Sequence, residues 1–336
     1  MLTFLVALIL TPLYLKVAQK LKLGKQIRDT SVDGAAATVF KELHAKKSGT
    51  PTMGGIIIWI SVLLVIAYSR GLAFFGMIPK SLLDRGQVYL PLFTIIAVGI
   101  LGAIDDVFNI KSIGGQKGIA ARPKFLLLTL FGALGAWWFY SKLGFSTIHI
   151  PSVGDFEIGL WYIPLFILVI VSTANAVNIT DGLDGLAGGL LILAFIVFGA
   201  IAYAKGLIIL AIFCGLIIGA LMAFLWNNVP PALFYMGDTG SLSLGATLGV
   251  IAMMTDSIVV LLIVGCVFII ETLSVIIQLT SKSSSKERYF SSLHYIIISK
   301  KRLGRGQNHY ALLDHWSSHG GIGLIIGLIG MGDTLL

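Results

Sequence analysis

Charge is scarce in this sequence, and cysteine is scarcer still. Of 336 residues, only 12% are charged and two are cysteines. Soluble globular domains usually carry about 25% charged residues, so this composition excludes that class. Cys214 and Cys266 both lie inside apolar segments, which argues against a disulfide framework. Outside those segments the sequence has no basic stretch interleaved with aromatic residues, so nothing supports a nucleic-acid partner.

Long apolar runs are abundant instead. Hydrophobic residues make up 57% of the chain and the mean hydropathy is +0.93. Such continuous runs predict spanning helices, whereas a transmembrane barrel requires alternation. We therefore predict an all-α, polytopic integral membrane protein with about ten transmembrane helices in a single transmembrane domain, residues 1–336. Residues 1–18 have no basic n-region and are predicted to be a first spanning helix rather than a cleaved signal peptide. The predicted apolar segments are 1–17, 54–69, 88–104, 125–141, 159–174, 186–204, 207–226, 242–255, 257–279 and 320–336.

The connections between these segments alternate in charge. Lys and Arg concentrate in one set of connections: 18–53, 105–124, 175–185, 227–241 and 280–319 taken together. The other set holds Arg70, Lys80, Arg85, Lys142 and Lys205. By the positive-inside rule the first set is cytoplasmic, so both termini are predicted to lie outside. The net charge of +8 suits anionic head groups or substrates, although topology alone produces such an excess.

Residues 175–189 place polar and small residues between two long apolar runs. The segment contains Asp181, Asp184, Asn175, Asn178 and several glycines. Ionisable groups at a membrane edge are costly to desolvate and usually mark a site. Glycines let the backbone N–H groups approach an anion. The segment is therefore either part of a functional site or a polar turn with two solvated carboxylates.

Two further acidic motifs lie on the same predicted side. Asp105 and Asp106 end the third apolar segment. Adjacent carboxylates repel, which favours a bound divalent cation or protonation of one of them, unless the pair is simply a solvated helix end. Residues 235–241 place Asp238 among glycines and hydroxyls before a helix start. This environment suits a metal–diphosphate group or ordinary helix capping, and Tyr235 suits base stacking or the interfacial aromatic belt.

Two weaker signals remain. In residues 46–55 a lysine is followed by Gly, Thr and Gly before a helix, which suits phosphate but lacks the spacing of a P-loop. Lys47 is equally well explained as a topology charge. Glu271 lies within the ninth apolar segment, where a carboxylate is either functional or a packed, hydrogen-bonded group. We leave Glu271 out of the predicted site.

In this order the four motifs resemble those of the polyprenyl-phosphate N-acetylhexosamine-1-phosphate transferases. Gly-Thr-Pro-Thr-Met-Gly-Gly at 49–55 and Asn-Ile-Thr-Asp-Gly-Leu-Asp-Gly-Leu-Ala at 178–187 are most similar to the phospho-N-acetylmuramoyl-pentapeptide-transferase branch. The resemblance covers roughly residues 20–290, and four ordered motifs are far more specific than one. It implies ten helices with both termini outside, which agrees with the topology argued from charge.

The resemblance also implies roles for individual residues. Asp238 would be a Mg²⁺ ligand, and Asp105, with Asp106 beside it, would deprotonate or position the lipid phosphate. Tyr235 stands where the family usually has a phenylalanine that stacks on uracil. The residues that would line the nucleoside–diphosphate pocket are Lys47, Thr52, Asn178, Asp181 and Asp184, and Asn228 and Gln278 match family positions near it.

The sequence departs from the family at two places. Asn109 stands where the family usually has a lysine, three residues after the second aspartate of the pair. The family's consecutive triple histidine between the ninth and tenth helices is absent. His294 and His309 are the candidates for the remaining histidine role in substrate binding, depending on the direction from which the pattern is aligned.

On these grounds we predict a magnesium-dependent enzyme of the bacterial inner (plasma) membrane whose active site faces the cytoplasm. It would transfer phospho-N-acetylmuramoyl-pentapeptide from a UDP-linked donor to undecaprenyl phosphate, forming lipid I and releasing UMP in peptidoglycan synthesis. The implied partners are the UDP-linked amino-sugar donor, polyprenyl phosphate and membrane lipid, with a homodimer left open and no nucleic acid. The alternatives are a sister transferase that uses UDP-N-acetylglucosamine, an inactive relative, and a transporter, which should instead carry charged or broken helices at mid-membrane.

Overall fold

Helices make up most of the structure. The computed structural model describes residues 1–24, 49–84, 86–111 and 118–284. A two-stranded antiparallel hairpin, β1 (Thr147–Ile150) and β2 (Gly154–Glu157), joins α4 to α5. In the described residues the helices are α1 (Leu2–Lys20), α2 (Gly55–Phe74), α3 (Tyr89–Lys111), α4 (Ala121–Leu143), α5 (Tyr162–Thr180), α6 (Leu186–Ala204), α7 (Ile208–Asn228), α8 (Gly237–Met254), α9 (Ile258–Val264) and α10 (Cys266–Ser284).

The lengths and composition of these helices confirm the predicted class, an all-α polytopic membrane protein. Within the described ranges, α1 to α7 are each long and apolar enough to cross a bilayer, with α3 and α5 counted together with short 3-10 turns before them. The pair α9 and α10 forms an eighth such unit, bent by 71°. The first nine predicted apolar segments fall on described helices, and the tenth, 320–336, lies outside the described residues. The helix count of about ten and the location of the termini therefore stay predictions.

Several helix ends and one break differ from the sequence prediction, and the three ends nearest the polar motifs are the most informative. α3 runs on to Lys111 and α5 to Thr180, while α8 begins at Gly237, several residues before its apolar run. The predicted segments are shorter than the helices because an apolar run marks only the part of a helix that suits lipid. The extensions carry polar side chains that are packed against other parts of the protein. The segment predicted as one helix at 257–279 is divided at Gly265.

α8 lies in the interior of the bundle. Every residue of α8 except Asp238 and Met254 is buried, and the helix packs most extensively against α3 and α5. Most of its hydroxyls are satisfied within the helix: Ser243 Oγ donates to the Thr239 carbonyl at 2.8 Å and Thr247 Oγ1 to the Ser243 carbonyl at 2.7 Å. A helix rich in Gly, Ser and Thr can therefore be buried without unpaired polar groups, and its small residues let neighbouring backbones approach closely.

Polar side chains gather at the two ends of the bundle. At one end, where α3 and α5 finish and α8 begins, they form the cluster described in the next subsection; we call this the site end. At the opposite end, Lys205 Nζ donates to the Thr255 carbonyl at 2.6 Å. Asp256 Oδ1 accepts the backbone N–H of His149 at 3.1 Å, and burial raises the pKa of the Asp256 carboxyl. These contacts tie the α8–α9 turn to the end of α6 and to β1.

Candidate active site

Two carboxylates that are far apart in the sequence meet at one lysine. Lys124, in the first turn of α4, donates from Nζ to Asp105 Oδ2 on α3 at 3.3 Å and to Asp238 Oδ2 on α8. The side chains of Lys124, Asp105 and Asp238 are 15%, 10% and 22% exposed. Partial shielding from water makes these ion pairs stronger than pairs on an open surface. The site end therefore holds a compact cluster with two negative groups and one positive group.

Hydrogen bonds also fix the second oxygen of Asp238. Asn178 Nδ2, in the last turns of α5, donates to Asp238 Oδ1 at 2.8 Å and lies 2.8 Å from Ser241 Oγ. Ser241 Oγ in turn donates to the Gly237 carbonyl at 2.9 Å. The ammonium group of Lys124 therefore bonds one oxygen of the Asp238 carboxylate, and the amide of Asn178 bonds the other. This carboxylate is the point at which α4, α5 and α8 converge.

Asp106 faces a different set of partners from its neighbour Asp105. Its Oδ2 accepts the Thr239 N–H at 2.9 Å and the Thr239 hydroxyl at 2.7 Å, and its Oδ1 accepts the Asp238 N–H at 3.2 Å. These donors form the first turn of α8, where backbone N–H groups have no partner within the helix. Gly237 begins that turn with φ +72°, and a Cβ on it would lie 2.5 Å from Asp106 Oδ2. Only glycine fits both the backbone conformation and the space.

The glycine-rich motif at 49–55 runs alongside the start of α8. Backbone bonds join the two segments: Gly54 N–H donates to the Tyr235 carbonyl and Tyr235 N–H to the Pro51 carbonyl, both at 2.8 Å. Thr52 is buried, and its carbonyl accepts the hydroxyl of Tyr14 from α1. Two motifs that the sequence separates by about 180 positions thus form one wall of the site end.

The partly buried Tyr235 in this wall lies within range of the charges of the 175–189 motif. Burial is the main cause that raises the pKa of its phenol to about 12, and the charge of Asp184 is the second. A hydrogen bond with Thr50 lowers this pKa, and the charge of Asp181 adds a smaller rise. Asp181 and Asp184 therefore lie close enough to Tyr235 for their charges to act on it, and the phenol stays neutral at physiological pH.

Asn228 joins three segments behind the site. Its Oδ1 accepts the N–H of Gly185, at the start of α6, at 2.9 Å. Its Nδ2 donates to the carbonyl of Phe234 at 2.8 Å, in the loop before α8. The side chain is 2% exposed, so its contacts are with the protein. Asn228 thereby supports the positions of the 175–189 and 235–241 motifs.

Asn228→Ala should lower the free energy of unfolding by about 2–4 kcal/mol, because it leaves a buried N–H and a buried carbonyl without partners. The measurement is thermal or denaturant unfolding of the purified protein in detergent. Asn227→Ala is the matched control: Asn227 Nδ2 donates to the Ala223 carbonyl of its own helix, at 3.0 Å, and the side chain is partly exposed. The control should change stability by less than about 1 kcal/mol. Equal unfolding midpoints for the two variants would contradict this account of Asn228.

The structure brings together most of the predicted site residues that it describes. Four of them form the central cluster or its support: Asp105, Asp106, Asn178 and Asp238. Tyr235 lies within range of the charges of Asp181 and Asp184. Thr52 is buried in the wall beside Tyr235, and Asn228 supports the site from behind through its bonds to Gly185 and Phe234. Lys47, His294 and His309 lie outside the described residues, as does the side chain of Gln278, although the backbone of α10 includes that position.

Lys124 is the main residue that sequence analysis left out of the site. Its only signal in the sequence was its place among several basic residues after the Asp105–Asp106 pair. Since neighbours such as Arg122 carry the same charge, composition does not distinguish the lysine that turns inward. The position of the first turn of α4 close to Asp105 decides this.

Comparisons with known proteins define the class of this protein. The profile of glycosyl transferase family 4 matches residues 88–256, and signature 1 of phospho-N-acetylmuramoyl-pentapeptide-transferase matches residues 47–58. Fold and site thus define a polytopic membrane transferase. Phospho-N-acetylmuramoyl-pentapeptide-transferases of Geobacillus thermodenitrificans, Clostridium novyi and Chloroflexus aggregans are 37%, 38% and 39% identical to it. These matches cover 87%, 87% and 85% of this chain and 86%, 85% and 75% of the relatives, respectively.

The chain belongs to the phospho-N-acetylmuramoyl-pentapeptide-transferase family. The resemblance argued from four motifs is therefore confirmed. The protein is an enzyme, a phosphoglycosyl-type transferase that crosses the membrane several times.

Proposed function

We propose that this enzyme transfers phospho-N-acetylmuramoyl-pentapeptide from its UDP-linked donor to undecaprenyl phosphate in a Mg²⁺-dependent reaction. An oxygen of the lipid phosphate attacks the sugar-bearing phosphorus of the donor, and the bond from that phosphorus to UMP breaks. UMP leaves with the bonding electron pair, and the lipid product is lipid I of peptidoglycan synthesis. The observation that carries the proposal is the meeting of Asp105, Lys124 and Asp238 at the site end.

The donor set of this cluster supports magnesium. Mg²⁺ takes oxygen ligands and commonly binds through one or two carboxylates, with substrate phosphates and water completing its shell. Asp105 and Asp238 both reach one ammonium group, so their oxygens lie close together, and the Asn178 amide is bonded to Asp238. In the described part of the chain no three His, Cys, Asp or Glu side chains form a metal-binding group by themselves. In the proposal, Asp238 would hold the ion together with the donor diphosphate, and the ion would offset the negative charge of that diphosphate.

The charges of the protein fit a reaction between two anions. Lipid phosphate and donor diphosphate repel each other, so catalysis needs positive charge and alignment more than a covalent intermediate. Lys124 supplies a fixed positive charge between α3 and α8. Asp105 Oδ1 accepts the backbone N–H of Ile119, which orients the carboxylate. In the proposal Asp105 accepts the remaining proton of the lipid phosphate, and Tyr235 offers its ring face to uracil beside Asp181 and Asp184.

An apolar groove supports the lipid acceptor. A cavity of about 360 Å³ lies between α5, α8, α9 and α10 and is lined by side chains such as Leu165, Leu262 and Phe268. Ala176 and Val177 line it as well, and they directly precede Asn178. A polyprenyl chain in this groove would bring its phosphate to the cluster while its tail stays out of water.

The location of the reaction follows from the same argument. Basic residues concentrate in the connections predicted to be cytoplasmic, such as 18–53 and 105–124, and the cluster lies where α3 and α5 finish and α8 begins. This distribution supports an enzyme of the bacterial inner membrane with the site end facing the cytoplasm. A nucleotide-linked donor would then reach the cluster from the compartment in which nucleotides are made.

UMP release tests the proposal. The purified protein in detergent should release UMP when it receives UDP-N-acetylmuramoyl-pentapeptide, undecaprenyl phosphate and Mg²⁺, and release should stop with EDTA. Asp105→Ala should lower the rate at least about a hundredfold. Asp155→Ala is the matched control, because Asp155 lies in β2 at the opposite end and its side chain is 67% exposed.

Three outcomes would count against the proposal. Release from UDP-N-acetylglucosamine alone would assign the enzyme to the sister activity. Release without a divalent cation would remove the role of magnesium. A wild-type rate for Asp105→Ala would remove Asp105 from the reaction.

A further inference from the structure

Asp105 and Asp106 are adjacent but do different work in the structure. Successive side chains of an α-helix point about 100° apart, so two neighbours on α3 face different elements. Asp105 bonds to Lys124 and to the backbone of Ile119. In the described part of the chain, each hydrogen bond to the Asp106 side chain comes from Asp238 or Thr239.

These bonds make Asp106 a helix cap supplied by another helix. The residue that precedes α8, Met236, makes no side-chain capping bond. A carboxylate at the start of a helix satisfies unpaired N–H groups and is favoured by the helix dipole. Asp106 fills this role from α3, 132 residues away from Asp238, and it is only 5% exposed. The cap therefore fixes how α3 and α8 meet.

We propose that Asp106 is a positioning residue for Asp238, and that it acts by capping α8 rather than by touching the substrates. The inference rests on the proposed metal role of Asp238. Asp106 accepts the backbone N–H of Asp238 itself, so it anchors the main chain from which the metal-binding carboxylate projects. Without the cap, the first turn of α8 would fray, and Asp238 would no longer be held between Lys124 and Asn178.

Thr239 makes the inference testable without a change of charge. Its hydroxyl donates to Asp106 at 2.7 Å, and the residue is fully buried. Thr239→Val removes that donor and keeps the shape, whereas Thr239→Ser keeps the hydroxyl. Thr247→Val is the matched control: the Thr247 hydroxyl is also buried in α8 and donates to the Ser243 carbonyl at 2.7 Å, two turns away from the cap.

The experiment measures Mn²⁺ binding by electron paramagnetic resonance on the full-length protein without substrates. Thr239→Val should weaken Mn²⁺ binding about tenfold, because it removes one hydrogen bond to the carboxylate that caps α8. Asp106→Asn should weaken it by at least as much, because it replaces that carboxylate with a neutral amide. Thr239→Ser and Thr247→Val should match the wild type. In kinetics, Thr239→Val should raise the Mg²⁺ concentration for half-maximal rate while the KM for the donor stays within about twofold, a separation that general loss of fold does not produce.

A double-mutant cycle completes the test. If Asp106 acts through the cap, the double variant Asp106→Asn, Thr239→Val should bind Mn²⁺ about as well as Asp106→Asn alone, because both changes remove the same contact. Multiplicative losses would overturn the inference. So would a Thr239→Val protein with wild-type Mn²⁺ affinity, or an inactive Asp106→Asn protein whose Mn²⁺ affinity is unchanged.

The wild-type protein distinguishes this inference from the proposed function. If the wild type binds no Mn²⁺ and releases UMP without a divalent cation, the proposed metal role fails and the inference fails with it. If the wild type binds Mn²⁺ and the Asp106 and Thr239 variants bind it equally well, only the positioning role is lost.

Discussion

Asp238→Asn is expected to abolish UMP release, with a loss of at least about a hundredfold, in a protein that still folds and inserts. The substitution keeps the size of the side chain but removes the negative charge that Lys124 and the proposed Mg²⁺ need. Asn178 donates to Asp238 Oδ1 and Lys124 to Oδ2, so both oxygens have partners that a neutral amide satisfies poorly. Asp238→Ala should be equally inactive.

The measurement is UMP release at saturating donor, lipid and Mg²⁺, with helical content and elution volume as checks on folding. Asp84→Asn is a suitable control, because Asp84 lies in the loop between α2 and α3, at the opposite end of the bundle. There it pairs with Arg70 of α2 at 3.2 Å. The rate of Asp84→Asn should equal that of the wild type. Turnover of Asp238→Asn within about tenfold of the wild type would remove Asp238 from the centre of the reaction.

Gly102→Ala is expected to have the largest effect on stability among single-methyl changes near the site. A Cβ on Gly102, in α3, would lie 2.1 Å from the Asp238 carbonyl oxygen and 2.7 Å from the Thr239 nitrogen. These atoms are backbone, so no rotation of a side chain relieves the overlap and α3 must move away from α8. Overpacking of this kind costs about 3 kcal/mol or more. It would also pull Asp105 and Asp106 away from the first turn of α8, so activity should fall at least about a hundredfold.

Gly215→Ala provides the matched control. Gly215 lies inside α7, and a Cβ there would meet nothing within 4 Å. The added methyl should leave activity unchanged and stabilise the helix by as much as about 1 kcal/mol. The comparison uses the unfolding midpoint and the rate of UMP release of both variants. Equal midpoints would show that the close approach of α3 and α8 does not limit substitution at Gly102.

The sequence predicts the membrane-spanning helices well because a helix that crosses a bilayer needs an apolar run as long as the lipid is thick. It also predicts that distant acidic motifs meet, because Asp105, Asp181 and Asp238 all follow or precede spans at the same side. The sequence does not predict where those helices stop. α3 and α5 extend past their apolar runs since Asp105, Asp106 and Asn178 are satisfied by other parts of the protein.

The sequence also does not predict that Asp105 and Asp106 have different partners. Asp105 and Asp106 are identical in type, and only their surroundings in the fold distinguish the one that meets Lys124 from the one that caps α8. For the same reason, Lys124 differs from Arg122 only in the direction of its side chain. The sequence does not predict the β1–β2 hairpin, because four residues are too few to show the alternation of polar and apolar side chains that marks a strand.

The enclosed position of α8 bears on how the chain enters the membrane. Within the described ranges, α8 is not among the helices apolar enough to cross a bilayer on their own. Direct insertion into lipid favours apolar segments, so Gly, Ser, Thr and an aspartate make α8 a poor autonomous insert. α3 and α5 precede it along the chain and supply the surfaces that bury it. We therefore expect the helix that carries Asp238 to enter the membrane only beside α3 and α5, so that the cluster of Asp105, Lys124 and Asp238 forms late in the assembly of the membrane domain.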